Sequence, residues 1–280
     1  MKASFARPLL VTEHGEFDSG AEAVALALAR HGRLALACVL PVFGNPEFET
    51  VAPQLAAQVD ADVSHMREQL LALARAEGVA LDVRVRHGVD PASDIVHEAR
   101  HQQADLLVVR RRGQRGFLAR LLVGDMVSQV LRHAPCSVLI APRGASMWVR
   151  GVLFGIDPQA ADVATLGRAA GLAADSGLPL QVVCVAGTEA ARTQAAQALA
   201  QAVSQARAIC SRSDGEVRVG PVPEGLVAAA RDAAADLIVI GRHGRHNPGR
   251  AGVGSQVQRV IGLSACPVLI DAHDLKDINP

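Results

Sequence analysis

The residues with the clearest chemical potential are glycines. The stretch GRHGRHNPGRAGVGSQ (241–256) follows directly on the apolar run DLIVI (236–240) and holds five glycines, three arginines and two histidines. Its spacing is Gly241-x2-Gly244-x9-Gly254-Ser255. Glycine tolerates positive φ and lets backbone N–H groups approach an anion with no Cβ in the way. Gly254 and Ser255 stand where a helix should begin, and the free N–H groups and dipole of a helix start favour phosphate. The Ser255 hydroxyl could cap that helix or bond a phosphate oxygen. The pattern is neither Walker A, which needs Gly-Lys-Ser/Thr after a shorter loop, nor GxGxxG after a first strand. His243 and His246 border the phosphate position and suit anion contact better than metal. The competing reading is a loop that merely turns, a degenerate site that has kept its glycines.

The elements that must position this loop repeat within the chain. ADLLVVRRRG (104–113) matches ADLIVIGRHG (235–244), and LRHAPCSVLIAP (131–142) matches IGLSACPVLIDA (261–272). LALACVLPV (34–42) matches LPLQVVCVAG (178–187), which sets Cys38 opposite Cys184 and Cys136 opposite Cys266. PLLVTEHGE (8–16) matches GVLFGIDPQ (151–159). The blocks keep one order, so each half reads alike. Strands are expected at 8–12, 34–40, 81–86, 105–109 and 137–141, and at 152–156, 180–185, 216–220, 236–240 and 267–271. Helices are expected near 18–31, 61–77, 91–102 and 124–133, and near 160–176, 188–211, 223–234 and 254–262. Nearly continuous apolar strands alternating with helices define an α/β protein. It should comprise two tandem doubly wound units, each with a five-stranded mostly parallel sheet, packed about a pseudo-twofold. The expected division is 1–142, a linker at 143–149, and 150–280. Residues 41–60, with three prolines, read as a surface excursion of the first half. Open sheets of this kind bind ligands beyond the carboxyl ends of their strands, where the glycine loop begins and where Asp157 ends a first strand.

Composition narrows the function. The chain has 280 residues, half of them hydrophobic, with six Phe, one Trp and no Tyr, which disfavours stacking platforms for single-stranded nucleic acid. Lys+Arg and Asp+Glu balance at 28 each, so no global field steers the chain to nucleic acid or anionic lipid. Five cysteines without CxxC spacing read as reduced thiols, and no signal-peptide core or membrane-length apolar run is visible. A cytoplasmic location is therefore expected. Four cysteines fall on or beside buried strands, leaving Cys210 as the one to test for reactivity. His97 and His101, one helical turn apart, lack a third ligand and read as a surface face. The Ala/Gln-rich run at 188–208 reads as a strong helix former. No G-x-S-x-G elbow, HExxH pair or Cys–His dyad is present, so no catalytic residue and no metal site is assigned.

On these blocks, which cover almost the whole chain, the sequence resembles the universal stress protein family, in its tandem two-domain form. Nucleotide-binding members of that family carry a first-strand Asp and a G-x2-G-x9-G-(S/T) loop. Asp157, Gly241, Gly244, Gly254 and Ser255 fit that pattern without a gap. The resemblance implies that Asp157 and the backbone near Ile156 meet adenine or ribose, with Val185 flanking the adenine. Gly241, His243 and Gly244 would lie along ribose and phosphates, and Gly254, Ser255, Gln256 and Val257 would close on the phosphates. ATP is the implied ligand, with Mg or Mn as an optional companion and at most slow hydrolysis. An alternative for Asp157 is a helix N-cap before Pro158.

The first half departs from the pattern. His14 is expected in place of the aspartate, Arg110 replaces the first glycine, and ten residues separate Gly113 from Gly124. Asp125 replaces the hydroxyl residue and opposes phosphate. Arg110, Arg111, Arg112, Arg115 and Arg120 read as a solvated basic face, or as partners of Asp125 or Glu13. The leading function is an ATP-binding stress sensor or regulator with an unknown protein partner. The alternative is a nucleotide-independent scaffold using the first-half arginines, and a slow ATPase is weaker still. An intramolecular pseudo-dimer reduces the need for homodimerisation without excluding it.

Overall fold

The computed structural model describes residues 5–43, 53–111, 125–159, 162–242 and 254–272. The first half contributes strands β1 (Pro8–Val11), β2 (Leu36–Phe43), β3 (Leu81–Gly88), β4 (Leu106–Arg110) and β5 (Ser137–Ala141). Its helices are α1 (Ser19–Gly32), α2 (Pro53–Ala76), α3 (Pro91–His101) and α4 (Asp125–His133). The second half repeats the order with β6 (Val152–Ile156), β7 (Leu180–Ala186), β8 (Ser213–Val219), β9 (Leu237–Gly241) and β10 (Val268–Asp271). Its helices are α5 (Val163–Asp175), α6 (Arg192–Arg207), α7 (Val222–Asp232) and α8 (Ser255–Leu263).

All ten strands form one sheet in the order β3-β2-β1-β4-β5-β10-β9-β6-β7-β8. Pairing is parallel within each half and antiparallel only at the seam, where Val268, Leu269 and Ile270 face Ile140, Leu139 and Val138. That palindromic order is the expected pseudo-twofold, realised as a continuous sheet rather than as two sheets set against each other. β4 and β5 are buried along their whole lengths, as parallel strands covered on both faces must be. One face carries α1, α2, α5 and α6, including Leu70, Leu166 and Leu199. The other carries α3, α4, α7 and α8, including Ile95, Val130, Leu226 and Ile261.

Equivalent aspartates fix where the first strand of each half begins. Asp105 accepts from the amides of Ala6 and Arg7, and Asp236 from those of Val149, Arg150 and Gly151. Burial pushes the Asp236 carboxyl up, but the three amides pull harder and hold it below the usual range. The connection between the halves passes over the start of α1. A Cβ on Gly20 would sit 2.0 Å from the Pro142 carbonyl oxygen, so only glycine permits that approach. The same connection buries Trp148, which is 3% exposed.

A pair of equivalent arginines crosses the seam. Arg111 donates to the carbonyls of Ile261, at 3.0 Å, and Ser264. Arg242 donates to those of Ala134 at 3.0 Å and Cys136 at 2.9 Å. Arg111 is thus an internal clamp and not part of a solvated basic face.

Several expectations are corrected. Residues 41–43 extend β2, and α2 begins at Pro53, so the excursion between them is shorter than expected. The 188–211 helix is a short 3-10 turn at 189–191 followed by α6, which ends at Arg207. Leu9 pairs with Ala37 and its equivalent Leu153 with Gln181, so Cys38 matches Val182 and Leu40 matches Cys184. Cys210, the thiol singled out for reactivity, is buried, with its Sγ 3.6 Å from the Leu178 carbonyl. His97 and His101 lie exposed on α3 as expected.

Candidate functional site

The strand register decides which residues meet at the carboxyl end of the second half. Phe154 pairs with Val239, and Ile156 with Cys184, so Ile156, Cys184 and Gly241 lie level, with Asp157 and Val185 one residue further out. Gly241 also faces Asp271 on β10. Asp157 is half-buried and its Oδ1 accepts from the Gln159 amide at 2.9 Å, closing a turn and leaving Oδ2 outside that bond. Asp157 is not the N-cap of α5. That place belongs to Asp162, whose Oδ1 accepts from the Thr165 amide at 2.8 Å and whose Oδ2 accepts from the Thr165 hydroxyl at 2.5 Å.

Asp162 leans over Gly241: a Cβ there would meet its Oδ2 at 2.8 Å. Asp162, Thr165 and Asp271 form a polar cluster behind the glycine, since the Thr165 hydroxyl also lies 3.2 Å from the buried Asp271 carboxylate. Asp271 in turn holds Ser137 of the first half at 2.5 Å and Arg168 at 2.8 Å. Sequence reasoning missed this cluster. The available signal was Asp162 three residues before Thr165, a helix-capping spacing. Ile156, Asp157 and Asp162 line a cavity of about 140 Å³ whose far wall is Gln201 and Gln205 of α6. A larger groove of about 830 Å³ runs along α1 beside Met147 and Trp148, away from these strand ends.

The other implied residues divide by burial. Val185 is 5% exposed, and a Cβ on Gly225 would touch both its methyl groups at 3.0 Å. Its side chain is therefore spent on α7, which leaves its backbone to face a ligand. Val257 points into the core, while Gly254, Ser255 and Gln256 are exposed. Gly254 is the N-cap of α8 with no side-chain cap, so Ser255 opens the helix without capping it. His243 and Gly244 lie outside the described residues.

Helix starts at this end differ in charge. Among the helices that follow first, third and fourth strands, α1 has Asp18 and Glu22, α3 has Asp90 and Asp94, α4 starts at Asp125, α5 has Asp162 and α7 has Glu224. Only α8 in that set has neither an acidic cap nor an acid in its first turn. Acidic groups disfavour an anion at helix starts, and among the described residues the start of α8 carries none.

The first half shows the same frame closed. Leu9 pairs with Leu107, and Leu153 with the equivalent Ile238, which makes Glu13 the counterpart of Asp157 and Asp18 that of Asp162. The expectation that His14 replaces the aspartate is off by one residue. His14 adopts φ 51° and instead sets Nδ1 2.9 Å from Glu22, which also accepts from Thr12. Arg110, the counterpart of Gly241, places its guanidinium between Asp18, at 2.9 Å, and Glu13. Burial pushes the Asp18 carboxyl up and Arg110 pulls it back. The side chain that Gly241 lacks thus fills the first-half site. Arg112, Arg115 and Arg120 lie outside the described residues.

Fold and site together define a duplicated α/β protein in which Arg110 fills the first-half strand-end crevice and, among the described residues, no such side chain stands at Gly241 in the second. The chain belongs to the universal stress protein family, whose model matches residues 21–142 and again 149–271. A universal stress protein of Synechocystis, Slr1230, is 27% identical over 169 residues, which cover 59% of this chain and 57% of that protein. The solved universal stress protein from Archaeoglobus fulgidus DSM 4304 superposes with TM-score 0.72 over 97% of this chain and 99% of its own, at 17% identity. A shorter one from Archaeoglobus fulgidus, solved in complex with dAMP, covers 44% of this chain and 98% of its own at 23% identity and TM-score 0.38. No helix among the described residues is long and apolar enough to cross a membrane.

Proposed function

We propose that this chain is a cytoplasmic stress-response sensor or regulator that binds one molecule of ATP in its second half. The division is taken as 1–142, a connection at 143–149, and 150–280. The observation that carries the reading is the contrast at one position: Gly241 leaves open what Arg110 fills in the first half. Support also comes from α8, whose uncapped start must lie at the carboxyl end of the strands in a parallel β-α-β crossover.

In this reading Asp157 and the Ile156 backbone hold the adenosine end, with the Val185 backbone beside it. Gly241, His243 and Gly244 follow the ribose and phosphates, and Gly254, Ser255, Gln256 and Val257 donate amides to the phosphates. Among the described residues no group of three or more His, Cys, Asp or Glu gathers to hold a metal. A Mg or Mn ion would therefore arrive with the nucleotide, held chiefly by its phosphates. Turnover in this reading would be slow at most. Binding would alter the surface shown to a protein partner.

Calorimetric titration of ATP, with and without Mg²⁺, into nucleotide-stripped protein tests this. One site per chain is expected in the wild type and none in Gly254→Val. A Cβ at 254 meets nothing within 4 Å, so the fold accepts the change while the phosphate position does not. No heat from the wild type, or undiminished binding in the variant, overturns the proposal. The scaffold reading loses part of its basis, because Arg110 and Arg111 are engaged internally.

A further inference from the structure

We propose that Arg111, a residue of the first half, is a positioning residue for the phosphate end of the second-half site. The inference rests on the nucleotide reading and adds to it a contribution from across the seam.

A helix leaves its last carbonyls without intrahelical partners. In α8 those carbonyls lie in the interior, where Ile261 is 0% and Ser264 2% exposed. Arg111 meets both with one guanidinium nitrogen, at the negative end of the helix macrodipole. The opposite end of α8 carries the exposed amides of Gly254, Ser255 and Gln256. Nine residues make a stiff rod about 14 Å long, so shifting one end tips the other.

The other end of the binding segment is also fastened across the seam. The Arg242 amide donates to the Asp271 carbonyl at 3.1 Å, and its guanidinium holds Ala134 and Cys136 of the first half. The stretch from 242 to 264, loop and helix together, therefore starts and finishes on contacts with the first half. Arg242 performs the same service at the end of α4, so each half closes the other's segment.

The symmetry breaks in function, because Arg110 already fills the first-half crevice. There the reciprocal clamp supports no open site. In the second half it sets where the phosphate-binding amides stand. The first half is thus a structural component of the second half's site, not a spare copy of it.

A purely structural clamp would weaken every ligand alike, whereas a phosphate-positioning clamp acts on ligands in proportion to their phosphates. The affinities of ATP and adenosine are measured by calorimetry on wild type, Arg111→Met and Arg111→Lys. In Arg111→Met, ATP binding should weaken about tenfold while adenosine changes by less than about twofold, a marginal effect on this scale. Arg111→Lys keeps the charge but not the planar guanidinium whose one nitrogen meets both carbonyls, and it should fall between. Equal weakening of both ligands, or no change in either, overturns the proposal. Should Arg111→Met fail to unfold cooperatively, Arg111→Lys decides by the same ratio: an unchanged ATP-to-adenosine ratio refutes the positioning role, and a reduced one supports it. A wild type that binds neither ligand refutes the nucleotide reading itself, a result separate from both.

Discussion

Replacing Gly241 with arginine should close the open site without unfolding the protein. The variant copies into the second half the residue that its counterpart already carries, between Asp157 and Asp162 in place of Glu13 and Asp18. The new Cβ would lie 2.8 Å from Asp162 Oδ2, so that carboxylate must move by a few tenths of an ångström. At risk are its bonds to the Thr165 amide and hydroxyl, an N-cap worth about 1 kcal/mol. The guanidinium returns ion pairs to two carboxylates, and partly buried pairs come close to break-even once desolvation is counted. Net stability should therefore stay within about 1 kcal/mol of wild type. Ligand linkage gives the readout: ATP at 100 times its Kd stabilises a binding protein by about 2.7 kcal/mol. For a chain of this size that is a rise in Tm of about 5–10 °C. Scanning calorimetry with and without ATP should show the rise in wild type and none in Gly241→Arg. A variant that folds and still shows the full rise would refute the view that this position governs access.

Two further outcomes concern the body of the fold. Burial pushes the thiols of Cys184 to about 11 and Cys136 to about 12, and Cys38 higher still, and it raises Cys266 as well. Cys38, Cys136 and Cys184 should therefore resist thiol-specific labelling at neutral pH until the protein unfolds, with partly exposed Cys266 the first to react, and rapid labelling of Cys210 would contradict its burial. Asp236→Asn should cost about 1.5–3 kcal/mol at pH 7, the range for hydrogen bonds to a charged acceptor. Because the folded carboxyl lies below its ordinary value, that contribution is complete above about pH 4 and fades as pH falls through the folded value. Denaturant titrations of both proteins should converge in acid, and a gap that widens there would disprove the clamp.

The repeat and nearly all its strands are legible in the sequence because β-strand burial is a local signal. A run such as LLVV or LIVI needs no distant residue to announce itself. The glycine spacing is legible for the same reason, since glycine marks a place where backbone must come close. The N-terminal part of α2 was missed because the stretch from 41 to 60 carries three prolines, and the period it does hold, Leu55 and Val59 ahead of Val63, is exposed until Val63, the first buried position. The His14 assignment failed through a different cause. Similarity between blocks 8–16 and 151–159 allows a slip of one residue, and only hydrogen-bond register with β4 and β9 removes it.

By itself, then, the sequence determined a duplicated α/β chain, a glycine loop after β9 in the second half, and an arginine where the first half should have had glycine. Tertiary structure decided what that arginine does. Arg110 and Asp18 are 92 positions apart, and Arg110 and Glu13 97, so their ion pairs exist only because β1 and β4 are neighbours. It likewise decided that Arg111 serves α8, some 150 positions away, through a seam formed by antiparallel pairing of β5 with β10. Composition and period report on residues near each other along the chain. Which guanidinium finds which carbonyl or carboxylate is set by strand order, and strand order is a property of the assembled sheet.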